Sequence, residues 1–116
     1  MLEVMKMSYI NAADEFNAHV KITGCTVMCA KVSFGDDSYE PDDAEVHILK
    51  CGYSPSDLAS FIDGISQEYS NGYGGQELFG IIWYTDGTWS SRGEYDGSEW
   101  WEHNKRPEIG EDLAGL

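Results

Sequence analysis

The order of hydrophobic patterns along this chain of 116 residues predicts an α+β domain, an antiparallel sheet with one helix packed on a face. Three observations carry that prediction. Two Asp-Gly pairs, Asp86-Gly87 and Asp96-Gly97, punctuate a strand-forming stretch from Gln76 to His103. An apolar stripe at helical spacing follows a capping serine, Ser54. Alternating apolar and polar residues fill much of the chain before it.

From the N-terminus, Asn11 reads as a helix N-cap with Asp14 and Glu15 behind it, which predicts one short helical turn over 8–16. Residues 16–23 and 25–34 then alternate as two strands, broken at Gly24, and predict a hairpin. Residues 35–44, GDDSYEPDDA, are an acidic connection in which Pro41 and like-charge crowding oppose regular structure. A short strand, 45–50, follows. The helix is expected over 54–70: Ser54 caps it, Pro55 takes the first helical position, and Asp57 stands three residues after the cap. Leu58, Phe61, Ile62, Ile65 and Tyr69 make its apolar stripe.

The two Asp-Gly pairs predict a meander of strands 77–85, 88–95 and 98–104, because type I′ hairpin turns need φ > 0 at both central residues. Two-residue turns set the register: Trp83 opposite Ser90, Ile81 opposite Arg92, Arg92 opposite Trp101, and Glu94 opposite Glu99. One face then holds Phe79, Ile81, Trp83, Arg92, Glu94, Glu99, Trp101 and His103. The other holds Ile82, Tyr84, Trp89, Tyr95, Trp100 and Glu102. Both are aromatic in a domain too small to bury both. Either termini and loops cover one of them, or some aromatics stay exposed as a recognition patch. The expected element order is β-β-β-α-β-β-β in a single domain over 1–116, with 1–7 and 108–116 loosely held.

Charge is the dominant global feature: 21 Asp and Glu against 7 Lys and Arg, a net −14. No Lys or Arg occurs from Val32 to Leu49, and Arg92 is the single one from Cys51 to Asn104. Such a balance disfavours nucleic acid and anionic membrane as partners and favours a basic protein surface. There is no apolar run of about 18 residues and no convincing signal peptide, which predicts a soluble protein that does not span a membrane, and the cysteine usage places it in a cytoplasm. Three cysteines without C-x-x-C spacing are expected as reduced thiols.

Enzyme motifs are absent: no G-x-S-x-G, no phosphate-binding glycine loop opening a helix, no H-E-x-x-H. The acidic connection lacks EF-hand ligand spacing. A thiol–imidazole pair of Cys51 with His47 needs a helix N-terminus or cations to activate the thiol, and Cys51 stands three residues before the helix start; a zinc set of Cys25, Cys29, His47 and Cys51 lacks paired short spacing, so no metal or cofactor is expected. Glu94 and Glu99, facing across the second hairpin, are the candidates for a carboxylate-dependent hydrolase, since like charges so placed raise one pKa.

The segment from Gly72, GYGGQELFGIIWYTDGTWSSRGEYDGSEWWEH, with Pro107-Glu108-Ile109 after it, resembles a set of small proteins of bacteriophages and prophages. The likeness covers about a third of the chain and carries no catalytic residues onto it. It implies a bacterial cytoplasm and an action on host machinery. By analogy of class, small acidic phage proteins include anti-CRISPR proteins and restriction inhibitors. The reading that follows is a non-enzymatic inhibitor of a basic, nucleic-acid-handling host protein, a CRISPR–Cas component being the most concrete partner. Asp36, Asp37, Asp42, Asp43, Glu94, Asp96, Glu99 and Glu102 would supply charge, and Trp101, with Trp83, Trp89 or Trp100, the apolar contact. The alternatives are the hydrolase above and an accessory protein that pairs through a strand edge or forms a homodimer.

Overall fold

The second Asp-Gly pair makes the turn its sequence demands: Asp96 (φ 52) and Gly97 (φ 88) both take the left-handed conformation. Tyr95 pairs with Ser98, Glu94 with Glu99 and Arg92 with Trp101, as expected. The first pair does not. Gly87 (φ 88) is left-handed, Asp86 is not, and the loop holds three residues: the Gly87 N–H donates to the Tyr84 carbonyl and the Tyr84 N–H to that of Thr88. This is a type I turn followed by a glycine bulge. The extra residue shifts the register by one, so Trp83 lies opposite Trp89, Ile82 opposite Ser90 and Ile81 opposite Ser91. Because strand side chains alternate, the faces of the first meander strand exchange relative to expectation.

The computed structural model describes residues 9–36, 44–72, 74–113 and 115. Its elements are β1 (Tyr9–Asn11), α1 (Ala12–Thr23), β2 (Val27–Phe34), β3 (Glu45–Leu49), α2 (Pro55–Gly64), β4 (Glu68–Ser70), β5 (Leu78–Tyr84), β6 (Trp89–Tyr95) and β7 (Ser98–Asn104), then a single 3-10 turn at Glu111–Leu113. A five-stranded antiparallel sheet runs in the order β3-β2-β5-β6-β7, and β1 pairs with β4 in a small second sheet. The α+β class and antiparallel pairing stand. The single helix does not: the described residues form two, and β1 and β4 are additional.

The strand expected over 16–23 is the C-terminal part of α1. Asn11 caps this helix by accepting from the Ala13 and Asp14 N–H groups, and Gly24 (φ 70) closes it. Within 16–23, Ala18 faces solvent and Ile22 is 83% exposed. The true stripe is Ala12, Ala13, Phe16 and Val20, at helical spacing. Helix α2 has the full capping box of Ser54 and Asp57 but ends at Gly64, short of the expected 70. Tyr69 is buried from β4 rather than from a helical stripe.

Both helices cover one face of the sheet. Phe16 and Phe61 meet edge to face at 5.5 Å, and Phe16 meets Trp101 at 6.1 Å, over a floor of Ala30, Val32, Leu49, Leu78, Ile82 and Tyr84. Each fully buried aliphatic or aromatic side chain contributes about 1.5–3 kcal/mol. Gly80 brings β5 close to β2 beneath Trp101; a Cβ there would lie 2.5 Å from the Lys31 carbonyl oxygen and 3.1 Å from Trp101 Cη2.

Candidate functional site

The opposite face of the large sheet has no described helix or strand over it. Register places Ile48, Lys31, Ile81, Ser91 and Glu102 in one row across the strands, and Cys29, Trp83, Trp89 and Asn104 in the next. Trp83, Trp89 and Trp100 are 38%, 36% and 37% exposed, and Val46, Ile48 and Ile81 are exposed beside them. Ile81, Trp83, Trp89 and Trp100 come from the neighbouring strands β5, β6 and β7, and Val46 and Ile48 from β3 on the far side of β2, so the apolar side chains share one sheet face. A depression of about 230 Å³ indents it between Lys31, Ser33, Asp36, Phe79, Ile81 and Trp83.

Trp100 is held in place. Its ring lies across Gly93 on the adjacent strand, where a Cβ would come within 2.5 Å of Nε1, and its N–H donates to Glu102 at 2.9 Å. A large side chain fixed before contact loses little rotamer freedom on binding. The aromatic surface and an exposed carboxylate are therefore coupled in one unit.

Of the acidic residues expected at a partner surface, Glu102 lies on this face and Glu94 and Asp96 stand exposed at the β6–β7 turn, where Glu94 accepts from the Gly97 N–H. Asp36 is half-buried and lines the depression. Asp37, Asp42 and Asp43 lie outside the described residues. Glu99 and Trp101 are not surface residues: they are 3% and 7% exposed and belong to the core. Glu99 accepts from the Glu77 and Leu78 N–H groups at 2.7 and 3.1 Å and from Arg92 Nη2 at 3.0 Å. Arg92 also meets Glu15 at 3.3 Å and donates to the Tyr69 hydroxyl at 2.8 Å, and its guanidinium sits 5.0 Å from the Trp101 ring centroid. Burial, then the bond to Glu15, pushes the Tyr69 hydroxyl far above its ordinary value. Glu94 and Glu99 are opposite in register as expected, yet one serves a turn and the other an internal ion pair. Glu99, expected to offer charge to a partner, is internal; the signal in the sequence is Arg92, the sole Lys or Arg in a long acidic stretch and opposite Trp101.

A second polar cluster gathers at one end of the sheet. His19 Nε2 and Ser90 Oγ lie 2.7 Å apart, and Ser90 Oγ is also 2.7 Å from the Tyr84 hydroxyl. Burial, then the nearby His103 and Arg92, lowers the pKa of His19. Asp86 is held below the usual carboxylate range by the Thr88 hydroxyl and N–H and by Cys25, whose Sγ is 3.3 Å away. His103 Nε2 lies 2.9 Å from the Thr88 hydroxyl and 3.9 Å from Cys25 Sγ.

The other pairings weighed from the sequence do not assemble. His47 meets Glu45 at 2.6 Å, and Cys25 meets Asp86 and His103. Among the described residues no group of three or more His, Cys, Asp or Glu is arranged to hold a metal ion. None of the described helices is long and apolar enough to cross a membrane.

Fold and face together define a small acidic α+β domain that leaves one aromatic sheet face open. No protein-family model, curated protein or solved structure matches the chain.

Proposed function

We propose that this protein is a non-enzymatic inhibitor that docks the open face of its sheet on a host protein whose surface is basic because it handles nucleic acid. The observation that carries the reading is three tryptophans, Trp83, Trp89 and Trp100, left more than a third exposed together on a protein of net charge −14. Tryptophan is enriched among residues that dominate binding energy, and charge of one sign steers a protein towards its opposite. Glu102 on the face, with Glu94 and Asp96 at the adjoining turn, supplies anions where a nucleic acid would present phosphates. The likeness to phage proteins directs the choice of partner to bacterial defence: a CRISPR–Cas effector first, a restriction enzyme second.

The test is direct binding to purified Cas effectors and restriction endonucleases at two salt concentrations, with competition by DNA. The expected result is a complex weakened by salt and displaced by DNA, and an effector inhibited in proportion to occupancy. Binding indifferent to salt, to DNA and to Trp83→Ala would remove the basis of the proposal.

A further inference from the structure

We propose that the free edge of β3 pairs with β3 of a second copy, antiparallel about a two-fold axis, joining two five-stranded sheets into one of ten strands. Hydrogen bonding within the sheet shows which backbone groups are available. The Gly35 N–H donates to the Glu77 carbonyl, so Ser33 and Lys31, at every second position before it, also turn their backbone groups towards β5. Phe34, Val32 and Ala30 therefore bond to β3, through Glu45, His47 and Leu49. Val46 and Ile48 are left with N–H and C=O pointing away from the sheet, and among the described residues no other backbone hydrogen bond reaches them. Their side chains are exposed as well. A groove of about 410 Å³ follows this edge from Val46 to Lys50, walled on its other side by Asp57, Ser60 and Phe61 of α2. The opposite edge, β7, is already engaged at its start: Ser98 bridges to Gly72, and the Glu99 N–H donates to the Asn71 carbonyl.

The β3 edge is complementary to itself. Directly opposite side chains of an antiparallel pair share a face, and a two-fold axis then restricts the register. The register centred on His47 sets Val46 opposite Ile48 of the other copy, and each such pair exchanges both of its hydrogen bonds. It also places the same apolar pair on the open face twice. Charge selects a second copy as the occupant. Lys50 of one copy stands opposite Ala44 and beside Glu45 of the other, where the acidic connection bearing Asp42 and Asp43 joins β3. Because the axis runs perpendicular to the sheet, both tryptophan faces point the same way. The pairing itself does not depend on what those faces bind.

The experiment uses the full chain alone, with mass by sedimentation across a dilution series and backbone amide exchange by NMR. The expected mass is twice 12.9 kDa, falling to that of the single chain on dilution. The Val46 and Ile48 amides should gain protection only as the dimer forms, whereas those of His47 and Leu49, bonded to β2, should be protected at every concentration. Ile48→Pro removes an N–H that faces solvent in the single chain, a change edge strands tolerate, and should give a folded monomer. Lys50→Glu should raise the dissociation constant several-fold, and Ala44→Lys added to it should restore the parent value. A monomer at the highest soluble concentration would overturn the pairing. So would a dimer whose Val46 and Ile48 amides exchange as fast as in the dilute protein, or a folded Ile48→Pro variant that still dimerises.

Discussion

Glu99 and Arg92 bring opposite charges into the interior of a protein with few cations. Two backbone N–H groups and the guanidinium occupy Glu99, while Glu15, Glu99, Tyr69 and the Leu78 carbonyl surround Arg92. Removing one member leaves the others without compensation, and for buried pairs that costs roughly 3–5 kcal/mol. Glu99→Gln should therefore lower the urea midpoint far more than Glu94→Gln, which alters an exposed turn. Equal losses would contradict the difference in burial. His19 makes a prediction in pH. Burial depresses its pKa below that of an ordinary histidine, so the unfolded chain binds the proton more readily than the folded one. Its contribution to stability is fully present above about pH 6.5 and is lost as pH falls towards the folded pKa. Thermal unfolding at pH 7.5 and pH 5 should show a smaller pH-dependent loss in His19→Gln than in the parent.

At the scale of elements, the one-residue difference between the two Asp-Gly turns decides which side chains are buried. Both dipeptides are hairpin signals, and both do make hairpins. Their loop lengths differ because Asp86 uses its carboxylate to accept from the Thr88 N–H and hydroxyl, which stabilises a three-residue loop, whereas Asp96 enters the left-handed region. That choice turns Ile82 and Tyr84 inward and leaves Ile81 and Trp83 outside. Helix α1 was hidden for a related reason: its apolar residues satisfy strand alternation and helical spacing together, and only the caps at Asn11 and Gly24 separate the two. Close approach between strands predicts a further difference. Gly80→Ala drives a methyl group into the Lys31 carbonyl and Trp101, and should cost about 1–3 kcal/mol. Gly75→Ala meets nothing within 4 Å and should fall within about 0.5 kcal/mol of the parent by chemical denaturation.

For the whole molecule, the asymmetry between the covered and open faces is the property on which binding rests. Both helices lie over Ala30, Val32, Ile82 and Trp101, and the aromatic side chains of the other face keep their exposure. Trp83→Ala and Trp100→Ala should therefore leave Tm nearly unchanged. Each should weaken a complex with a basic partner by about 1–2 kcal/mol or more, measured calorimetrically. Charge reversal at Glu102 should act more strongly at low salt than at high salt, since screening over a Debye length of about 10 Å at 0.1 M weakens exposed charges. Trp variants that unfold the domain would show instead that the face is structural.

Local chemistry alone determined the α+β class, the N-terminal cap of α2, the type I′ turn at Asp96-Gly97 and the net charge, because each follows from residues adjacent in the chain or from composition. Tertiary structure decided which face of the sheet is covered, the helical state of residues 16–23, and the burial of Glu99 and Trp101. Those outcomes depend on which distant groups satisfy a backbone donor, a charge or an apolar face, and alternation along one strand carries no record of its partners.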